Sequence, residues 1–506
     1  MGRHLSTKLL SGLALAVAIG ATAIASPASA ASLKMAWKQD ATGLDPHKQT
    51  AFSSIRLLEL IYEPLVRFDK DLQIVPAVAA SWEFTPDAKQ LTFKLNPNAK
   101  FQDGKPVTAA DVKASFERVL DEKTAAAARA NYLSIASIET PDDKTVVFKL
   151  SQPDVPLLAA MASINAAIVP AAEIAAGTIG TKALGSGPFK LDKWEPNSKE
   201  TLSANKDWAG GKVAVDGIDI SVLPDETAIL AALRTKQVDF ALINDPLVAT
   251  LVPKEPSLQL NRMPVLAYHV LQLNASRKPM DNLAVRQAIS CAVDRQDVLD
   301  TASVGEGKVT GPLTMPGYTS DASTLFCYKK DIAKAKKLMA DAGFASGFSA
   351  TVIAANGEPA TAAAEAQVLQ SQLAEIGVKL NIKMMELNVY VDTWLKGDFD
   401  MAVALNGGRA DPYPMYNRYW TKTGNLQKVA NYIDDTLDSL MQKGRVETDP
   451  AKRKAIFADF EKHLVEVSPW VWLYTSYSYT AQQKNVQGFV PTPEGSLFGL
   501  SKVTLK

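Results

Sequence analysis

Histidine and cysteine are scarce in this 506-residue chain, with four of the first and two of the second. His4 sits at the extreme N-terminus, and His47, His269 and His463 lie far apart in no metal-ligand spacing. No metal and no cofactor are expected. No Gly-rich phosphate loop precedes a helix, and Gly185-Ser186-Gly187 runs into Pro188 instead of forming a nucleophile elbow. No carboxylate pair is singled out, so the chain does not read as an enzyme. An excess of either charge is missing too, since Lys+Arg and Asp+Glu both number 54. That balance leaves no footprint for nucleic acid or anionic lipid. Beyond the first thirty residues no apolar run is long enough to span a bilayer. There is no low-complexity tract and no repeat of solenoid length.

What is present begins with an address. Arg3 and Lys8 form a positive start, Leu9 to Ala25 is apolar, and Ala28-Ser29-Ala30 has the small-x-small form that a signal peptidase reads. Residues 1–30 are predicted to be a signal peptide cut before Ala31. With no cysteine at the cut, a free periplasmic protein is expected rather than a lipid-anchored one. The remaining length exceeds the ~250–300 residues at which single cores stop growing, so at least two lobes are expected. In an oxidising compartment Cys291 and Cys327 favour a disulfide over two buried thiols.

The pattern along the chain is mixed α/β. Leu33 to Trp37 reads as a strand, Ile55 to Tyr62 as a helix, and Leu91 to Leu95 as a half-buried strand. Thr108 and Asp111 form a capping-box variant that opens a helix. Two later segments look alike. Ile229 to Ile243 is a helix feeding an apolar strand that breaks into Asn244-Asp245-Pro246. Val391 to Leu405 repeats the plan and breaks into Asn406 to Pro412. In open α/β sheets ligands bind outside the carboxyl ends of strands, so these two loops are expected to face one cleft. Helices stopped by Gly343 and Gly377, and an alternating strand from Val378 to Met384, continue the α/β pattern.

Several blocks, in order, resemble family 5 of the bacterial extracellular solute-binding proteins, the dipeptide, oligopeptide and nickel-complex binders of ABC importers. Phe93-Lys94-Leu95 through Phe101-Gln102-Asp103-Gly104-Lys105-Pro106-Val107-Thr108-Ala109-Ala110-Asp111-Val112 resembles the family signature. Gly185 to Phe189 with Asn205-Lys206-Asp207, Asp281 with Val285 to Ile289 and Asp294-Arg295, and Ala333 to Gly343 resemble further blocks. Asp411-Pro412-Tyr413, Asn431-Tyr432 and Pro469 to Tyr474 resemble the C-terminal ones. The resemblance implies a two-lobed periplasmic-binding-protein fold of type II, cluster C-like, with an extra subdomain in lobe one and the ligand cleft between lobes. Lobe one is expected at 31–275, with the subdomain at about 76–180, lobe two at 276–472, and a return to lobe one at 473–506. The implied partners are an inner-membrane permease with its cytoplasmic ATPase and a small polar ligand, foremost a di- or oligopeptide, bound by a monomer. An oligosaccharide, an opine, glutathione, a metal chelate or a chemosensory role are the alternatives within the fold.

The resemblance also implies a lobe-two carboxylate that pairs with a peptide α-ammonium, and Asp411 is the candidate. Its other reading is an Asp-Pro turn. Arg409 is the candidate for a ligand carboxylate, and Asn406 opens the same loop. Tyr413 and Trp420 offer an apolar wall, or core. Asn244 and Asp245 are the lobe-one candidates. The aromatic run from Trp470 to Tyr479 reads as a strand packing at the lobe junction.

Overall fold

Short apolar runs bounded by turn residues become the strands of one eleven-stranded sheet in a computed structural model that describes residues 32–506. In chain order these are β1 Leu33–Trp37, β2 Phe189–Glu195, β3 Lys199–Ala204, β4 Gly217–Val222, β5 Phe240–Ile243 and β6 Leu258–Leu273. They continue with β7 Lys308–Val309, β8 Phe348–Ala355, β9 Val378–Met385, β10 Met401–Asn406 and β11 Trp470–Gln483. Across the sheet the order is β9-β8-β10-β6-β11-β5-β1-β4-β3-β2, with β7 paired to β11.

The two halves of this order mirror each other, and each half is a lobe. β1 lies parallel to both β4 and β5, and β8 lies parallel to both β9 and β10. Parallel strands are covered on both faces, which is why β5 and β10 read as apolar runs rather than alternating ones. The helix Glu226–Arg234, capped by the Asp225 side chain, feeds β5. The helix Leu387–Lys396 ends at Gly397, where φ is 67° and a Cβ would run into the Lys428 carbonyl, and feeds β10.

β6 and β11 join the halves as a long antiparallel pair of 16 and 14 residues. Their register is continuous from Leu258 opposite Gln483 to Pro264 opposite Tyr477, then breaks, and resumes with Tyr268 opposite Thr475. Proline has no N–H for the ladder, so pairing lapses at that point. β11 buries both faces: Trp470 and Trp472 enter one lobe-two core and Val471 and Leu473 another.

The extra subdomain is a four-stranded antiparallel sheet of Ala79–Phe84, Gln90–Leu95, Thr145–Leu150 and Ile135–Asp142 in that spatial order. The helix Ala109–Leu120 packs on it, with Phe116 edge-on to Phe148 at 5.0 Å. Thr108 and Asp111 cap that helix reciprocally. In lobe two Trp420 is fully buried, with ring centroids 4.7 Å from both Trp470 and Tyr416. Burying each such ring contributes about 1.5–3 kcal/mol. Cys291 and Cys327 are joined by a disulfide, with Cα atoms 4.8 Å apart. Among the described residues no helix is long and apolar enough to cross a membrane, and no cluster of His, Cys, Asp and Glu is arranged to hold a metal ion.

Candidate functional site

The carboxyl ends of β5 and β10 open onto a cleft between the lobes, beside the lapse in the β6–β11 ladder. Its main chamber encloses about 940 Å³, open solvent at the mouth included. Lobe one contributes Trp37 to Gln39, Phe52, Ser53, Arg56 and Asn244, and lobe two contributes Gly357 to Thr361 and Leu405. Val265, Ala267, His269 and Ser476 to Tyr479 form the floor, and Glu494 and Gly495 close one side. Two further chambers share Phe52 and Ile55. One reaches Asn406, Gly407, Arg409, Arg418 and Trp394, and the other reaches Glu59, Asn131, Arg409 and Asp411.

The lobes are closed on each other. The Phe52 N–H, at the start of the helix Phe52–Ile61, donates to Glu358 Oε1 of the other lobe at 3.0 Å. Gln39 Nε2 donates to the Asn356 carbonyl at 2.8 Å. At the far rim Arg445 of lobe two pairs with the buried Asp154 of the subdomain, and the Val155 N–H donates to the Arg445 carbonyl at 3.0 Å. Asn425 Nδ2 donates to the carbonyls of Ala126 and Ala127, each at 2.9 Å.

The floor is held by a polar chain. His269 Nδ1 lies 2.7 Å from Glu365 Oε1, and its Nε2 lies 3.1 Å from Ser476 Oγ. The Tyr474 ring stacks on the imidazole at 4.2 Å, and its hydroxyl donates to the same Glu365 oxygen at 2.6 Å. Burial pushes the Glu365 carboxyl up, but the adjacent imidazole and these donors hold it below its ordinary range.

The cleft walls carry charges of both signs that do not meet. Arg118, Arg445 and Arg453 each form an ion pair elsewhere. Arg56, Arg409 and Arg418 form none among the described residues. Arg56 stands over the Phe52 ring at 5.5 Å and Arg418 over the Tyr419 ring at 4.8 Å. The buried Nε atoms of Arg56 and Arg418 have no hydrogen-bond partner, and Arg409 donates only to its neighbour's carbonyl, Gly408, at 3.2 Å. The nearby carboxyls are turned to neutral donors or to none: Glu358 accepts from the Phe52 N–H and Glu59 from the Ser496 hydroxyl. Burial raises all three glutamates, Glu59, Glu358 and Glu494, and pushes Glu494 up to about 7 against the pull of Arg409.

Of the residues expected from sequence, Arg409, Asn406, Asn244 and Asp411 line the cleft chambers. Asn406 Nδ2 donates to the Tyr268 hydroxyl at 3.2 Å, and Asn244 Nδ2 to Glu226 Oε1 at 3.2 Å. Asp245 caps the short helix Pro246–Ala249 by accepting the Leu247 N–H. Tyr413 and Trp420 belong to the core and not to a cleft wall, because their helix Pro412–Trp420 is sandwiched by the aromatic cluster. Asp411 is not free to meet an ammonium. Arg453 donates to both its oxygens, at 2.6 and 2.8 Å, and the Tyr413 N–H donates to Oδ1 at 2.9 Å as the helix cap. Sequence reasoning missed Arg56, Glu59, Glu358, Arg418 and Glu494.

A family model described as bacterial extracellular solute-binding proteins, family 5 Middle, matches residues 73–427. The probable D,D-dipeptide-binding periplasmic protein DdpA of Escherichia coli K12 is 30% identical over 451 residues, covering 85% of this chain and 86% of that protein. The glutathione-binding protein GsiB of the same strain is 28% identical over 502 residues, 96% of each chain. Among solved structures, the periplasmic binding protein AgaA of A. tumefaciens R10 in complex with agropinic acid has a TM-score of 0.86 at 32% identity, covering 94% of this chain and 99% of that one. DppA of Helicobacter pylori in complex with the peptide STSA has a TM-score of 0.85 at 26% identity, covering 94% and 98%.

Proposed function

This chain belongs to the bacterial extracellular solute-binding proteins of family 5, and from that premise we propose that it captures a peptide-sized solute for an ABC importer. The family consists of substrate-binding proteins that hand small ligands or peptides to permease and ATPase subunits. The observation that carries the reading is the cleft: two strand-end loops, one from each lobe, face each other across a lapse in the long strand pair that joins them. A solute seated there touches both lobes, so it favours the closed state by as much as its affinity differs between closed and open. The cleft is lined by apolar and aromatic side chains with a few polar and charged groups among them, as small-ligand sites are.

The hinge in this reading is the segment Pro264 to Tyr268 with Thr475 to Tyr477 opposite, where the ladder is already open. The chain acts as a monomer outside the inner membrane after removal of its first thirty residues, which lie outside the described part. Its closed surface is what an inner-membrane permease reads. The candidate ligand contacts are Arg409, Asn406 and Asn244 together with Arg56 and Arg418, while Asp411 serves the scaffold.

Catalysis is not part of the proposal. Ser476, His269 and Glu365 have the connectivity of a hydrolytic triad. Ser476 sits within a β-strand, however, and Glu365 is shared with Tyr474 and Thr361. The chain therefore reads as a device that ties β6, β11 and the helix Ala362–Ala374 together at the hinge. Native mass spectrometry of the processed protein, purified without denaturation, tests the whole reading. A one-to-one complex that releases an intact small solute is expected. Cleavage of the solute on incubation would sink the binding-only assignment.

A further inference from the structure

We infer that the solute carries at least two carboxylates, clamped between Arg56 of lobe one and Arg409 with Arg418 of lobe two. The inference rests on the interlobe cleft being the solute site and names the chemistry that site selects.

Arg56 and Arg409 line one chamber and Arg409 and Arg418 line another, and the two chambers meet at Phe52. Guanidinium groups stay protonated, so closing the lobes brings like charges together. Charges withdrawn from water need partners, and the protein's most buried arginines have them: Arg445 and Arg453 pair with Asp154 and Asp411, while Arg286 and Arg295 donate to backbone carbonyls. The three in the cleft are left without ion pairs, with two buried Nε–H groups unsatisfied. The carboxyls within reach leave this open: Glu358 is directed at a backbone N–H and Glu59 at a hydroxyl, and Glu494, pushed up to about 7 by burial against the pull of Arg409, forms no ion pair among the described residues. A carboxylate matches the guanidinium fork bidentately, which makes an organic anion the group that completes the closed site.

The arrangement also explains how closure depends on ligand. Without an anion, Arg409 and Arg418 repel each other on lobe two, while Glu358 of that lobe attracts Arg56 across the cleft. An anion seated among the three guanidinium groups offsets the repulsion and adds to the attraction. A monocarboxylate satisfies one side alone, whereas a solute with two carboxylates engages both lobes and couples binding to closure.

Thermal-shift and calorimetric titration of the processed protein with a charge-graded panel tests the inference. The probes are glutamyl-glutamate and citrate, alanyl-alanine and maltose, and lysyl-lysine. Binding confined to the first two, weakening as salt rises, is expected. Arg409→Gln should weaken it about tenfold or more, Arg409→Lys less, and exposed Lys379→Gln not at all. Comparable binding of alanyl-alanine, maltose or lysyl-lysine overturns the clamp. So does anion binding that survives both Arg409→Gln and Arg418→Gln in protein of unchanged melting temperature. If no probe binds, the co-purified solute decides by its composition. Two or more carboxylates uphold the clamp, and a neutral, cationic or singly carboxylated solute overturns it while leaving solute capture standing. A protein that carries no solute and binds none overturns capture itself.

Discussion

Asp411 shows how a residue of the expected type, in the expected loop, serves another end. The residue is 9% exposed, and its carboxylate is engaged by Arg453 and a helix N-terminus. Removing one member of a buried pair leaves an uncompensated charge and costs about 3–5 kcal/mol. Arg453→Met is therefore predicted to lower unfolding stability in urea by that amount. Asp411→Asn should do the same in smaller measure while leaving solute affinity within a few-fold of wild type. A collapse of affinity with unchanged stability would restore the ammonium role.

Glu494 governs the response to pH. Burial raises its carboxyl from an ordinary 4.5 to about 7. Arg409, Glu59, Arg56 and Glu358 face it from the helix Phe52–Ile61 and from the two lobe-two loops. Its folded-state pKa is raised, so the neutral form fits the closed cleft and the charged form does not. Closure is favoured below about pH 4.5, and that advantage is lost as pH rises through 7. An anionic solute should accordingly bind more tightly at pH 6 than at pH 8. Glu494→Gln should flatten the profile in calorimetric titration.

At the scale of elements, the disulfide ties the end of the helix Leu283–Ala292 to a loop 36 residues on. Replacing Cys291 and Cys327 by serine is predicted to cost about 3–4 kcal/mol in the chain-entropy model, read as a lower denaturation midpoint. Elements of this kind were legible from sequence. The switch from helical to continuous apolar pattern announced Glu226–Arg234 with β5 and Leu387–Lys396 with β10, and the Thr108 cap marked its helix to the residue. Their loops were legible as cleft-facing because strand ends are where α/β sheets bind ligands, and Asn244, Asn406 and Arg409 lie there.

The rest of the site was hidden because it is made by partners remote in sequence. Arg453 follows Asp411 by 42 residues, so nothing local showed that the carboxylate was taken. Arg56 and Glu59 sit on a helix that otherwise reads as core. Glu494 lies in an aperiodic stretch near the C-terminus that folds over the hinge, where the Leu266 N–H donates to the Pro493 carbonyl at 3.0 Å. Tyr413 and Trp420 fit either a wall or a core by type alone, and only packing separated the two.

For the whole molecule, closure is held at two places. Glu358 meets the first turn of the helix Phe52–Ile61 beside the ligand chambers, and Arg445 meets Asp154 at the rim. Neither member of the rim pair lines the ligand chambers, so it sets the open–closed balance without touching the solute. Arg445→Met strands Asp154 in a buried site and is predicted to shift the balance toward open. Small-angle scattering should then show a larger radius of gyration, and solute affinity should fall by the fraction of closed-competent molecules lost. An unchanged radius with unchanged affinity would remove the rim pair from the mechanism.

The central claim is that a solute is gripped between lobes by guanidinium groups from both. Titration of the co-purified solute back into protein stripped of it, in wild type and in Arg409→Gln, tests this most directly. The account predicts one site per chain in wild type and binding weakened about tenfold or more in the variant, at equal melting temperature. Equal affinity in the two proteins would contradict it.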